Sequence, residues 1–355
     1  MIRVAIADDS PFTCNLLASY IEEGGDCEVV GVAHDAKSTV ELVKSAAPDV
    51  LTLDLQMPGG DGLELLRTIT EGVAISVVVI SGITRLAAAT TLHALELGAV
   101  DFVLKFTPGA PVSRASLKRE ILTKIKLAAA ARPTTRRPSA ALASAPGLDL
   151  AVRAAQIKTF RPPVAANSAG AVVIGASTGG PKAISELLQH LPREFATPCV
   201  IVLHLPATFT APFAAQLSRH ARIAVKEAET GDRLVAGRAL VTPGSSHLLV
   251  RPGGLIELRP AADDDLYRPS IDLTMISAAE SCGASAVGVL LTGMGHDGAE
   301  GLKRIRDAGG DTYVQELTSC VVTSMPERAI ERGGAEYVAK PDKIGQMLAA
   351  ARSRS

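Results

Sequence analysis

Along the first third of the chain, short runs of β-branched and other apolar residues alternate with stretches whose apolar positions recur every three or four residues. Residues 4–7, 29–33, 50–54, 77–81 and 102–105 read as five strands, and the amphipathic segments between them as helices. A βα alternation of this kind predicts a parallel, doubly wound sheet. A second series opens at residue 171. Strands are expected at 171–175 and 199–203, helices at 181–191 and near 209–219, and strand-like pieces at 239–242 and 247–250. A strand at 286–292, a helix at 298–308 and a strand at 312–315 close the series. No repeat period joins the halves. The chain therefore reads as an α/β protein with two open, mostly parallel doubly wound sheets, in which catalytic groups belong at the carboxyl ends of strands.

Between the two series, residues 128–168 are rich in Ala, Pro, Ser and Arg, and Pro133, Pro138, Pro146, Pro162 and Pro163 interrupt any long helix. The predicted organisation is a domain over 1–127, a flexible linker over 128–168 with a short helix near 148–157, and a second domain over 169–350. A length of 355 residues, nearly half of them apolar, supports two cores. Charge separates the parts: residues 1–125 hold 10 Lys and Arg against 16 Asp and Glu, 126–168 hold 7 against 1, and the remainder 19 against 20. The basic excess sits in the tether, which suits a solvated segment, and its prolines argue against a DNA recognition helix. Trp is absent and aromatics are scarce, so base-stacking platforms lack material and nucleic acid is not expected as a partner. Cys14, Cys27, Cys199, Cys282 and Cys320 show neither a CxxC pair nor metal-ligand spacing, as suits a reducing cytoplasm. The chain starts on a strand-like Ile2-Arg3-Val4-Ala5-Ile6 and has no apolar run long enough to span a bilayer. A cytoplasmic location without membrane insertion is expected.

In the first domain, Asp8 and Asp9 fall at the end of the first strand, Asp54 at the end of the third, Ser81 of the fourth and Lys105 of the fifth. Converging on one sheet edge, they make a pocket for phosphoryl transfer. The carboxylates supply oxygen ligands for Mg²⁺, a lysine and a hydroxyl can hold the transferred group, and Asp54 would be the nucleophile.

In the second domain, Val172-Val173-Ile174-Gly175-Ala176-Ser177-Thr178-Gly179-Gly180-Pro181 is a strand, a glycine-bracketed serine and a helix start that tolerates Pro181. The turn presents Ser177 and the helix N-terminus offers N–H groups to developing negative charge. A nucleotide phosphate could use the same turn, although the motif lacks the Lys-[Ser/Thr] ending of a P-loop and is not a clean G-x-G-x-x-G. A serine nucleophile needs a base and an orienting carboxylate. His204 and Asp297 follow the next two clear strands, with His247 and His296 as competing bases. Gly293-Met294-Gly295-His296-Asp297-Gly298 would form a compact loop whose Met294 N–H could serve as an oxyanion donor. Acyl chemistry on such a site requires no metal or other cofactor.

Residues 1–125 closely resemble the receiver domains of two-component signalling, from Asp8-Asp9-Ser10 through Asp54-Leu55-Gln56-Met57-Pro58 and Asp61-Gly62 to Lys105. The resemblance implies that Asp54 takes a phosphoryl group from a histidine kinase, that Asp8 and Asp9 help hold Mg²⁺, and that Ser81 and Phe102 report the phosphorylated state. Phe106 stands where receivers usually have proline. From about residue 171 to 349 the chain resembles the chemotaxis protein-glutamate methylesterases, the CheB family. The resemblance rests on Gly175 to Gly180, His204-Leu205-Pro206, Val225-Lys226-Glu227-Ala228, Pro243-Gly244, His247, Arg268-Pro269-Ser270-Ile271-Asp272, Leu291 to Gly298 and Ser324-Met325-Pro326. It implies Ser177 as nucleophile, His204 as base, Asp297 as its partner and Met294 in the oxyanion hole. The implied substrates are γ-glutamyl methyl esters of methyl-accepting chemotaxis receptors, with glutamine deamidation in some members. His296 stands where asparagine is often found and is expected to tune the pocket without abolishing activity.

Overall fold

Strands covered on both faces need apolar side chains on both, and the runs 77–80, 171–174 and 199–203 become such strands. The computed structural model describes residues 1–105, 114–131, 170–262 and 264–350, in two units, Met1–Leu142 and Ala143–Ser355. In the first, β1 (Ile2–Ala7), β2 (Cys27–Ala33), β3 (Val50–Asp54), β4 (Ser76–Ser81) and β5 (Asp101–Leu104) alternate with α1 (Pro11–Glu22), α2 (Ala36–Ala46), α3 (Gly62–Gly72), α4 (Arg85–Glu96) and α5 (Arg114–Ala130). The strands pair in parallel in the order β2-β1-β3-β4-β5. β3 and β4 are buried at every position. The chain leaves β1 to one side and returns on the other at β3, so a crevice opens beyond their carboxyl ends. α5 continues to Ala130, past residue 127, because Ala128 extends the buried stripe of Leu117, Ile121 and Ile125. Most of the expected linker, its short helix and Phe106 lie outside the described residues.

The second unit contains a seven-stranded parallel sheet in the order β14-β13-β12-β6-β7-β9-β8. Its strands are β6 (Ala171–Ala176), β7 (Cys199–Leu203), β8 (Ala224–Glu227), β9 (Arg238–Val241), β12 (Ala286–Leu290), β13 (Asp311–Gln315) and β14 (Tyr337–Ala339). Direction reverses between β6 and β12, and Ser177, His204 and the 291–298 loop all leave the sheet beside that point. The helices are α6 (Gly180–Leu188), α7 (Ala207–His220), α8 (Ile271–Cys282), α9 (Ala299–Asp307), α10 (Ser324–Glu331) and α11 (Pro341–Ala350). The strand expected at 247–250 lies outside the main sheet. It is part of β10 (Ser246–Arg251), which forms an antiparallel hairpin with β11 (Leu255–Pro260).

That hairpin packs on α8. Leu248, Val250 and Ile256 share a core with Ile271, Met275 and Ala278. Hydroxyls of α8 take up the β10 backbone: Thr274 Oγ1 donates to Leu248 O at 2.8 Å, Ser281 Oγ donates to Val250 O at 2.8 Å, and Ser277 Oγ accepts from Val250 N–H at 3.0 Å. Among the described residues, no helix is long and apolar enough to cross a membrane.

Asp311, at the start of β13, supplies a test of the pH response. Burial first, and then the charge of Glu336, push its carboxyl up to about 6. An unfolded aspartate ionises near 4, so the folded protein binds the extra proton between these values. Stability falls as pH rises through that window, and the penalty remains in full above it. Asp311→Asn should therefore raise the melting temperature at pH 8 and change it little near pH 4, measured by thermal denaturation at both pH values. An equal shift at the two would refute the assignment.

Candidate active site

In the first unit, Asp8 and Asp9 directly follow β1, Asp54 closes β3 and Lys105 follows β5. Lys105 Nζ lies 2.6 Å from Asp54 Oδ2 and 3.0 Å from Asp8 Oδ2. The backbone N–H groups of Ser10 and Gln56 donate to Asp8 Oδ1 and Asp54 Oδ1, each at 2.9 Å. Burial pushes the Asp8 carboxyl up, against Ser10 and Lys105. For Lys105, burial acts to lower the ammonium pKa, but Asp54 and Asp8 outweigh it and hold it above the ordinary lysine value. Oxygens of Asp8, Asp9 and Asp54 lie within 4.8 Å of one another. Three carboxylates facing one ammonium leave excess negative charge on hard oxygen donors, a set that fits Mg²⁺. Ser81 closes β4, but its hydroxyl is engaged with Thr91 Oγ1 and with Gly82 O. Phe102 is buried in β5 beneath Lys124, whose Nζ is 5.0 Å from the ring centroid.

In the second unit, Ser177 is the first residue after β6, and its N–H donates to Thr292 O at 3.0 Å. Gly179 has φ 77°, which turns the chain into α6. Thr292 ties this turn to the facing loop: its hydroxyl accepts from Val321 and Val322 N–H and lies 3.0 Å from Thr178 O. Gly293 lets the loop approach Ser177. A Cβ there would stand 2.2 Å from Met325 Sδ and 2.8 Å from Ser177 Cβ. Ser324 Oγ donates to Gly293 O and accepts from Gly295 N–H, each at 3.1 Å. Among the described residues, no acceptor takes the Met294 N–H, and the Met294 side chain is exposed.

His204 follows β7, and its Nε2 is 2.9 Å from Asp297 Oδ2. Asp297 is 1% exposed and sits at the N-terminus of α8. The N–H groups of Ile271 and Asp272 donate to it at 2.7 and 2.9 Å, and Ser270 Oγ at 3.1 Å. Burial acts to raise the Asp297 carboxyl. His204 and the two backbone donors outweigh burial and hold it below the ordinary aspartate value. The neighbouring Asp272 is pushed up to about 6 by burial, and also by the Asp297 charge, against the hydrogen bond from Gly301 N–H. Among the described residues, no hydrogen bond joins the Ser177 hydroxyl to His204.

The competing histidines are engaged elsewhere. Buried His247 accepts the Ser270 N–H at Nδ1 (3.0 Å), so its Nε2 carries the proton and donates to Asp265 Oδ2 at 2.8 Å. Neither nitrogen is left to serve as a base. His296 is exposed and pairs with the Tyr267 hydroxyl.

Residues 172–348 match the CheB methylesterase family, and residues 4–115 match the response regulator receiver domain. A Koribacter versatilis protein named protein-glutamate methylesterase/protein-glutamine glutaminase 2 is 38% identical over 352 residues, covering 98% of this chain and 95% of that protein. The chain belongs to the CheB methylesterase family. A Geobacter metallireducens protein named protein-glutamate methylesterase/protein-glutamine glutaminase 1 is 41% identical over 353 residues, covering 98% and 94% of the two chains. The crystal structure of the Thermotoga maritima CheB methylesterase catalytic domain is 35% identical, covers 53% of this chain and 99% of that one, and gives a TM-score of 0.49. The response regulator domain of Thermotoga maritima CheB is 37% identical, covers 38% and 99%, and gives 0.34.

Within this CheB-type methylesterase, sequence reasoning placed Ser177, His204 and Asp297 at one sheet edge but gave no role to Ser270 or Tyr267. For Ser270 a signal existed: a serine directly before a helix is a capping position. Ser270 Oγ accepts from Leu273 N–H while serving Asp297. Ser270→Ala should cost about 1–2 kcal/mol from the lost cap and the lost bond to a charged partner. Urea denaturation followed in the second unit would measure it, and an unchanged midpoint would count against the role given to Ser270.

Proposed function

We propose that this CheB-family enzyme is a phosphorylation-regulated protein-glutamate methylesterase acting on methyl-accepting chemotaxis receptors in sensory adaptation, in the cytoplasm. Its reaction hydrolyses γ-glutamyl methyl esters to glutamate and methanol, and the same acyl chemistry would release ammonia from glutamine. The observation that carries the reading is the His204–Asp297 pair, whose buried carboxylate is held ionised by His204 and by the N-terminus of α8, at the same sheet edge as Ser177.

Each step follows from groups already described. Asp297 occupies Nε2 of His204, which leaves Nδ1 as the base, the opposite ring assignment to that of the chymotrypsin-type enzymes. Ser177 Oγ attacks the ester carbonyl as its proton passes to Nδ1, and Asp297 stabilises the imidazolium. The carbonyl oxygen becomes an oxyanion that the Met294 N–H would receive. Collapse expels methoxide, which takes the proton from His204. Water then attacks the acyl-serine with His204 again as base, and the same proton passes to Ser177 Oγ as the glutamate carboxyl leaves. The Ser177–His204 hydrogen bond forms with substrate bound, as such bonds often do.

In the receiver, Asp54 would accept a phosphoryl group from a chemotaxis histidine kinase. Asp8, Asp9 and Asp54 would hold Mg²⁺, which neutralises charge on the phosphoryl oxygens. Lys105 would follow the new phosphate, with Ser81 leaving Thr91 to reach it and Phe102 reporting the change. In this reading the unphosphorylated receiver restrains the esterase.

Ser177→Ala should remain folded and lose methanol release from methyl-labelled receptor by several orders of magnitude. Near-normal turnover in a folded variant would overturn the nucleophile assignment. Regulation is tested separately: a small phosphodonor with Mg²⁺ should accelerate the wild-type chain and have no effect on Asp54→Asn. A persistent response in that variant would refute control through Asp54.

A further inference from the structure

We propose that Tyr267 and His296 are positioning residues of the esterase reaction, which together tie the base His204 to the loop that carries the Met294 N–H. The proposal rests on the assignment of Ser177, His204 and Met294 given above.

Tyr267 reaches two parts of the site that are otherwise held from different sides. Its ring stacks on the His204 imidazole, with centroids 5.2 Å apart and planes 15° from parallel. At the other end, its hydroxyl accepts the His296 N–H at 3.3 Å and lies 3.1 Å from His296 Nδ1. A phenol has one proton and can accept as well as donate, so it serves both contacts when His296 is neutral with its proton on Nε2. The two rings meet edge to face, 5.4 Å apart at 86°. The fit is close: a Cβ at Gly295 would stand 2.5 Å from the Tyr267 oxygen.

The 293–297 loop is held on its inner side by Ser324, at Gly293 and Gly295, and at its end by the Asp297 bonds to α8. His296 is exposed, and Tyr267 holds its peptide from outside. An oxyanion donor lowers the barrier only if it is fixed before the charge develops, and small misplacements are costly in rate. The phenol sets the distance between that donor and the base.

The test compares Tyr267→Phe, His296→Ala and their double variant with the wild-type chain, using Ser177→Ala as the reference blank. Tyr267→Phe keeps the ring on His204 and loses both bonds to the loop, so kcat should fall about two- to tenfold with KM unchanged, the range of one or two hydrogen bonds. His296→Ala should fall less, and the double variant should be no slower than Tyr267→Phe, because both changes break one link. Affinity for a phenylboronic acid, which forms a tetrahedral adduct with a serine nucleophile, should weaken in step with kcat while the melting temperature holds. A purely structural role would move the melting temperature and leave the boronate affinity alone. If Ser177→Ala is inactive while Tyr267→Phe and His296→Ala keep wild-type kcat and boronate affinity, or lose only in KM, the positioning proposal is overturned. If Ser177→Ala itself turns over ester and binds boronate, the nucleophile assignment has failed instead.

Discussion

The catalytic unit is organised around keeping one buried carboxylate charged. Removing an ionised carboxylate from water costs several kcal/mol unless hydrogen bonds replace hydration. Asp297 receives His204, two backbone N–H groups and the Ser270 hydroxyl, at the end of a helix where the dipole favours negative charge. That requirement dictates where α8 begins, and it explains features that carry no chemistry of their own. His247 fixes the Ser270 N–H, and Asp265 fixes His247. The β10–β11 hairpin holds α8 through three hydroxyl contacts. The layer behind the site is thus a chain of polar contacts that ends on Asp297.

The receiver meets a related constraint with the opposite solution. Its carboxylates are also gathered where the strand order reverses, but there they crowd together and are balanced by Lys105 instead of a helix terminus. Crowding leaves charge for an incoming cation. The arrangement around Asp297 uses up the charge within the protein. A reversal of strand order therefore serves both units, gathering carboxylates that await ligands in one and a His204–Asp297 pair already satisfied within the protein in the other.

β4 of the receiver could be read directly because burial at every position demands an uninterrupted apolar run, Val77-Val78-Val79-Ile80, whereas the edge strand β2 keeps Glu28 and Val32 exposed. The placement of Ser177, His204 and Asp297 was readable for a related reason, since each follows a strand of the β4 kind. α8 was not. Its buried face includes Thr274 and Ser277, whose hydroxyls satisfy a backbone 26 and 27 residues away, so the apolar period that marks a helix is broken by residues that look solvent-facing. β8 and β14 are edge strands of only four and three residues, too short to show a period. The histidines show the same limit. All three were visible as candidate bases, but their separation rests on partners distant in sequence: Asp297 for His204, Ser270 and Asp265 for His247, Tyr267 for His296.

The edges of the seven-stranded sheet also bear on how a protein substrate can be gripped. β14 is three residues long, and β8 is a four-residue strand carrying Lys226 and Glu227. Short and charged edges discourage a further strand from pairing, so a partner cannot readily be bound by extending the sheet with its own backbone. Exposed apolar side chains of this unit include instead Leu266, Leu273 on α8 and Met294 on the 293–297 loop. An enzyme built this way suits a substrate that keeps its own fold and offers a single side chain, since nothing in the sheet asks the substrate to unravel into a strand.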